Sequence, residues 1–170
     1  MKRIGLHSAL LASIACIAGC SLTPVKNEMP LVRSFTARAT NSNDTKVVIF
    51  NESSMVLHGI DNTGRLNVKL DGKGVARLQI GEYVQVIVPR GKHQVYLEHR
   101  DMFMFRSDHE LEFTNAETFL QVRATPISNE AKVVPELAPQ FDVKFRPALL
   151  APTGPPEVPV RALSSPNRRP

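Results

Sequence analysis

Short segments of this chain alternate strictly between apolar and polar residues. In residues 65–71, Leu66, Val68 and Leu70 are separated by charged or amide side chains. This period of two is typical of a strand that buries one face in a core and leaves the other in solvent. The alternation recurs along the chain and predicts a set of further inward-facing residues: Ala76, Leu78, Ile80, Val84, Val86, Val88, Val95, Leu97, Leu111, Phe113, Leu120, Val122, Ala124, Phe141, Val143 and Phe145.

Two turn signals and one segment that is apolar on both faces complete this pattern. Residues 71–74 (DGKG) and 89–92 (PRGK) contain the Gly and Pro residues that tight turns use. Residues 46–50 (KVVIF) are apolar on both faces, which predicts a central strand covered on both sides. No longer window has a convincing helical period. The predicted fold is therefore all-β, a small antiparallel β-sandwich, Ig-like or transthyretin-like, flanked by disordered tails.

The N-terminus follows a different pattern. Lys2 and Arg3 precede a mostly apolar stretch over residues 4–18, which is typical of a secretory signal peptide. The stretch is shorter than the about 20 apolar residues that a membrane-spanning helix needs, and polar residues follow it at once. We therefore expect this segment to direct export and not to cross the bilayer in the mature protein.

Residues 17–20, Ile-Ala-Gly-Cys, resemble the lipobox of bacterial lipoproteins. The resemblance implies that the thiol of Cys20 carries a diacylglyceryl group, that the chain is cleaved before this residue, and that the new amine is usually acylated. Residues 1–19, including Cys16, then leave as the signal peptide. The alternative is an ordinary export signal followed by a chance cysteine. That would leave one unpaired cysteine in an oxidising compartment, which is unusual.

Residue 21 and the net charge bear on where the protein works. The enterobacterial sorting pattern uses an aspartate after the lipidated cysteine to retain a lipoprotein in the inner membrane. Ser21 therefore favours the bacterial cell envelope at the outer membrane, facing the periplasm. Removing residues 1–19 takes away Lys2 and Arg3, which reduces the 21 basic residues to 19, against 16 acidic ones, and gives a formal charge of +3. This charge is too small to argue for a nucleic-acid partner.

Two segments without alternation bound the expected folded part. Residues 20–43 have no sustained pattern and are predicted to form a lipidated flexible tether. Residues 147–170 hold seven of the 13 prolines and are predicted to form a disordered, proline-rich tail. The sandwich domain is then expected over residues 44–146.

Residues 66–99 resemble the repeat unit of PEGA-type surface domains, and resemble more closely a related uncharacterised domain family of bacterial lipoproteins. The shared features are the Asp71-Gly72 turn, the Gly-Glu-Tyr of residues 81–83 and the Pro-Arg-Gly-Lys-His of residues 89–93. This chain has Arg-Gly-Lys where the PEGA signature has Glu-Gly-Ala. The resemblance covers about residues 45–124. It implies a sandwich and no catalytic chemistry.

The histidines are candidate metal ligands. After cleavage the chain retains His58, His93, His99 and His109. Strand parity places His93 and His99 at the two ends of one inward face, and Asp101 and Asp108 lie nearby in sequence. A metal site needs three or four converging ligands, and no closely spaced ligand pair is present. We therefore expect strand-end histidines that are half in solvent, with no metal and no cofactor.

Residues 102–105, MFMF, form an apolar segment between two charged ones. Four large apolar residues at a hairpin end are either an exposed contact patch or part of the core. If one segment contacts a partner, we expect it to be Met102, Phe103, Met104 and Phe105. If the segment is a strand, the two phenylalanines share a face, and we expect them to be the buried pair and the methionines to be more exposed.

Motifs for enzymatic chemistry are missing from the sequence. It contains no Gly-x-Ser-x-Gly, no Gly-rich phosphate loop and no paired carboxylates at a useful spacing on one element. We therefore expect a non-enzymatic lipoprotein, held to the membrane through Cys20. Its sandwich would act as a binding or scaffold module for an envelope protein, as an accessory subunit of an envelope complex does. Two alternatives stay open: a lipoprotein that binds a small ligand or metal, and an enzyme whose site is assembled from distant loops.

Overall fold

The computed structural model describes residues 22–54 and 64–148. Cys20, His58 and residues 149–170 lie outside the described residues, so the predictions made for them concern parts of the chain that the structure does not describe. The described part contains nine strands and one short helix: β1 Asp44–Asn51, β2 Leu66–Leu70, β3 Lys73–Leu78, β4 Glu82–Pro89, β5 Gly91–Arg100, β6 Met104–Phe113, β7 Glu117–Thr125, β8 Ser128–Val134, α1 Phe141–Lys144 and β9 Arg146–Pro147.

The strands form two sheets, which confirms the predicted all-β sandwich. One sheet has the order β8-β7-β1-β4-β9 and the other has the order β3-β2-β5-β6. The four-stranded sheet is antiparallel throughout. The five-stranded sheet is mixed, because β1 pairs in parallel with β7 and β4 pairs in parallel with β9. After β1 the chain builds all four strands of the second sheet and places β4 on one side of β1. It then returns as β7 to the other side of β1, in the same direction, a crossover that local alternation does not reveal.

The core between the sheets is built from the alternating residues. Leu66, Val68 and Leu70 of β2 are fully buried, as the pattern predicts. The same holds, at 5% exposure or less, for Ala76, Leu78, Val84, Val86, Val88, Val95, Leu97, Phe113, Leu120, Val122 and Ala124. At the turn between β2 and β3, Asp71 and Gly72 both have positive φ, 51° and 77°, as the Asp-Gly signal predicts.

A second, aromatic cluster covers the outer face of the five-stranded sheet. Val48 and Phe50 of β1 pack there against Phe141 and Phe145, with Phe35 and Tyr83 beside them. Strand β1 is therefore covered on both faces, and the prediction of a central strand over residues 46–50 is confirmed.

The prediction that Phe141, Val143 and Phe145 alternate along a strand and all face inward is wrong. Residues Phe141–Lys144 form a single helical turn, and the backbone N–H of Phe145 donates to the carbonyl of Phe141. Phe141 and Phe145 are four residues apart, so both reach the aromatic cluster from one face of the turn. Val143 points away and is 90% exposed. Alternation and a four-residue spacing give the same apolar pattern in so short a segment, and packing selects the helical one.

Residues 22–35, which we call the N-terminal strap, lie against the sandwich. The prediction of a free tether over residues 20–43 is therefore wrong for this part. The side chain of Asn67 donates to the carbonyl of Thr23 at 2.7 Å and accepts from the backbone N–H of Val25 at 3.1 Å. Further along, the backbone N–H of Val32 donates to the carbonyl of Gln85 at 2.8 Å, on the five-stranded sheet. The strap thus passes from one sheet to the other.

Glycine at position 74 permits the closest approach of the strap to the sheet. A Cβ atom there would lie 2.0 Å from the carbonyl oxygen of Lys26. The backbone N–H of Glu28 donates to the carbonyl of Gly74 at 2.8 Å, and the Glu28 carboxylate accepts from the N–H of Gly74 at 2.7 Å. A side chain at residue 74 would therefore displace the strap from strand β3, which is the edge of its sheet.

Candidate functional site

Five large apolar side chains are exposed in the described part of the chain. They are Met102, Phe103, Met104, Ile127 and Val143, with exposed fractions of 87%, 69%, 40%, 82% and 90%. A well-packed small domain seldom leaves several such residues on one part of its surface unless they contact something. Their positions in the fold therefore bear directly on function.

All five lie at the same end of the sandwich. Strand β1 ends at Asn51, and its side-chain amide donates to the carbonyl of Leu78, the last residue of β3, at 3.1 Å. The side-chain amide of Asn129 donates to the carbonyls of Leu97 and Phe105 at 3.3 Å each. These bonds join the two sheets where β1, β3, β5 and β7 end and where β4, β6 and β8 begin.

The five residues belong to three connections at this end, which we call the apolar end. Residues 101–103 join β5 to β6 and place Met102 and Phe103 there, with Met104 as the first residue of β6. Ile127 lies in the turn between β7 and β8. Helix α1, which carries Val143, is held there because Lys144 forms an ion pair with Glu52, next to the end of β1.

The predicted contact segment is split between the turn and the strand. The N–H of Asp101 donates to the carbonyl of Phe103 at 2.9 Å, which turns the chain and leaves Phe103 in solvent. The prediction that Phe103 is buried is therefore wrong, because the strand on which parity was counted begins only at Met104. Phe105 is the more buried member of the next pair, as predicted, and stacks on His99 with ring centroids 4.9 Å apart. The contact role of the segment stays a prediction.

His93 is buried, so its predicted half-exposed position is wrong. Its Nδ1 lies 2.7 Å from a carboxylate oxygen of Asp71 and its Nε2 lies 2.8 Å from the carbonyl oxygen of Pro89. The ring stacks on Phe113 with centroids 4.7 Å apart. The side chain therefore ties together the two turns that carry Asp71 and Pro89, which is a structural role.

His99 is also fully buried, against the same prediction. Its Nδ1 lies 2.5 Å from the side-chain oxygen of Asn129. Because Asn129 is the second residue of β8 and His99 is the last but one of β5, this contact joins the two sheets at the apolar end. His109 is half-buried on β6, with its Nε2 3.0 Å from the Ser107 hydroxyl. In the described residues no group of three or more histidine, cysteine or carboxylate side chains is arranged to hold a metal ion.

A cavity of about 670 Å³ lies near the opposite end, on the outer face of the five-stranded sheet. Its lining includes Phe35, Arg38, Asp44, Lys46 and Arg90. Lys46 is almost fully buried there and is already committed: its amine pairs with Glu117 at 2.5 Å and donates to the carbonyl of Phe35 at 2.7 Å. The lysine amine is therefore satisfied by groups of the chain itself.

The carboxyl of Glu52 has a pKa below its ordinary value of 4.5. Burial raises this pKa, but hydrogen bonds from Lys144 and Gln121 and the positive charges of Lys144 and Arg123 outweigh burial. A depressed pKa means that the unfolded chain binds more protons, so the stabilisation is present above the ordinary pKa and is lost as pH falls through the folded-state value.

We expect Glu52→Gln to lower the free energy of unfolding at neutral pH by about 1 kcal/mol or less, because partly exposed ion pairs contribute little. The difference from the wild type should shrink at acid pH, since the wild-type carboxyl is then protonated. Urea unfolding at both pH values measures this. Glu136→Gln, at an exposed residue, is the control and should leave the free energy of unfolding at neutral pH nearly unchanged. A difference that persists at acid pH would contradict the assignment.

The comparisons with known proteins add no family. Within the described residues no helix is both long and apolar enough to cross a membrane. The chain matches no protein-family model, no curated protein and no solved structure. The resemblance to PEGA-type domains and to bacterial lipoproteins therefore stays a prediction from the sequence.

Proposed function

We propose that this protein is a non-enzymatic lipoprotein of the bacterial envelope, anchored through lipid on Cys20, whose sandwich acts as a binding or scaffold module. The lipobox-like residues 17–20 and the export-type segment before them support the anchor. Ser21 supports the outer membrane as its location. In this proposal the protein needs no cofactor and meets no nucleic acid.

The observation that carries the binding role is the apolar end. Met102 and Phe103 are exposed on a rigid support, because β5 and β6 pair continuously from Gly91 opposite Phe113 to Arg100 opposite Met104. Because paired strands already hold the backbone on both sides of this turn, covering its apolar side chains orders less chain than covering a long loop would, which favours binding. The described part of the chain shows no comparable arrangement of reactive side chains, so contact is the better supported role.

Chemical cross-linking in intact cells tests the module. We expect an amine-reactive cross-linker to join the protein to a defined envelope protein, because several lysines, such as Lys73, Lys92 and Lys132, are exposed. Purification in detergent and mass spectrometry would identify the partner. Cys20→Ser is the matched control and should lose the cross-linked product if anchoring brings the two proteins together. A chain recovered only as an uncross-linked monomer would contradict the scaffold role.

A further inference from the structure

The position of the strap relates the lipid anchor to the apolar end. The carbonyl of Leu22 accepts a hydrogen bond from the guanidinium of Arg77 at 3.1 Å, and Arg77 is the residue before the end of β3. Further along the strap, Glu28 is bonded to Gly74, near the start of β3. Followed from Glu28 back to Leu22, the chain therefore runs along β3 towards the apolar end.

Cys20 precedes Leu22 by only two residues. Two residues of chain span at most about 7 Å between Cα atoms, so a lipid on Cys20 would join the chain close to Leu22. In the register of the four-stranded sheet, Arg77 of β3 pairs with Asn67 of β2, which pairs with Glu98 of β5, which pairs with Arg106 of β6. Arg77 and Arg106 therefore lie at the same position along the strand direction. Three strand spacings amount to about 14 Å, and Phe103 lies three residues, about 10 Å, beyond Arg106, so Leu22 and the exposed apolar turn lie on the same end of the sandwich.

From this arrangement we propose that the apolar end lies on the membrane surface, with Met102, Phe103 and Ile127 inserted among the lipid headgroups and the upper acyl chains. The proposal rests on lipidation of Cys20. The acyl chains of the anchor, once inserted in the bilayer, hold this end of the protein at the membrane surface. The exposed apolar residues are therefore brought into contact with the lipid. The partner of the apolar end is then the bilayer, and an envelope protein bound by the module would contact another part of the sandwich.

The end of the sandwich opposite the apolar end is suited to face water in this orientation. Its turns expose charged and polar residues, among them Asp71, Lys73 and Arg90. The cavity beside Lys46 is near this end, because it is lined by residues at the starts of β1 and β7 and by Arg90 after the end of β4. An apolar end on the membrane therefore turns the cavity away from the bilayer, where water-soluble molecules can reach it.

Single tryptophan residues test the orientation, because the natural chain contains none. Phe103→Trp places the probe in the apolar end, and Thr114→Trp places it in the exposed β6–β7 turn at the opposite end. The lipidated proteins are reconstituted into vesicles of phosphatidylethanolamine and phosphatidylglycerol, with or without brominated acyl chains. On binding to the vesicles, we expect the tryptophan fluorescence of Phe103→Trp to shift to shorter wavelength. In vesicles with brominated acyl chains, this fluorescence should lose more than half of its intensity. The emission of Thr114→Trp should not change.

Flotation of the same vesicles separates the two proposals. If the lipidated protein floats with the vesicles but brominated lipid does not quench Phe103→Trp, the membrane contact is overturned while the anchor stands. Equal quenching of Phe103→Trp and Thr114→Trp also overturns the membrane contact, because neither end of the sandwich would then face the membrane preferentially. If the protein does not float, the anchor fails and the membrane contact fails with it. Met102→Trp, at the most exposed residue of the turn, provides a second probe with the same expected result.

Discussion

Replacing Cys20 by serine should abolish acylation of the protein and leave it either uncut or soluble. A serine hydroxyl does not take the diacylglyceryl group that the thiol of a lipobox cysteine takes, so the variant lacks its acyl chains and stays uncleaved or becomes soluble. Each buried methylene contributes about 0.8 kcal/mol, so two or three chains hold the wild type on a bilayer with negligible release. The few apolar side chains at the apolar end are too small a surface to replace them.

Metabolic labelling with a fatty-acid analogue, followed by membrane fractionation, measures this effect. Cys16→Ser is the matched control, because Cys16 lies in the predicted signal peptide and should leave labelling and fractionation unchanged. Labelling of the Cys20→Ser protein, together with its persistence in the membrane fraction, would show that the anchor lies elsewhere.

Phe141→Ala should destabilise the sandwich by about 3–5 kcal/mol, the usual cost of truncating a buried phenylalanine. The ring is 4% exposed and contacts those of Phe50, Phe145 and Tyr83 at centroid distances of 5.5, 4.8 and 5.3 Å. Its loss would open a cavity at the centre of the aromatic cluster, on the outer face of β1. Since small domains are stable by about 5–15 kcal/mol, the variant could be largely unfolded at physiological temperature.

Val143→Ala is the control for this substitution, because it lies two residues away and is almost fully exposed. We expect its free energy of unfolding to stay within about 0.5 kcal/mol of the wild type, as for most surface substitutions. Urea unfolding followed by circular dichroism compares the two variants. A larger loss in Val143→Ala than in Phe141→Ala would mean that the segment is a strand with the opposite face buried.

The sandwich was predictable because most of its strands bury one face only. Leu66, Val68 and Leu70 carry the signal that a half-buried strand must carry, and the Asp71-Gly72 turn fixes where it ends. Strand β8 escaped prediction because most of its residues are only partly buried, which weakens the contrast between its faces. The parallel pairing of β1 with β7 escaped because it depends on a long crossover and not on either strand's own pattern.

The candidate site was predictable only in part. The MFMF segment stands out in the sequence because large apolar residues interrupt charged ones, but that signal does not decide between an exposed patch and the core, and Phe103 is exposed where burial was expected. The strap carried no such signal, since it is held mainly by backbone groups and by single polar side chains such as Asn67. One residue of the cavity stands out in the sequence: Lys46, on an otherwise apolar central strand. Its role could not be predicted because it depends on an ion pair with Glu117, which is distant in sequence.

The course of the strap also determines how the domain would respond to a mechanical load. If the lipid is fixed in a membrane and the sandwich is pulled away from it, tension enters at Leu22 and acts nearly parallel to β3. The hydrogen bonds that Arg77, Asn67 and Gly74 donate to the strap are then loaded together, in shear, and share the force. A strap leaving the sheet at a right angle would break the same bonds one at a time, at a lower force.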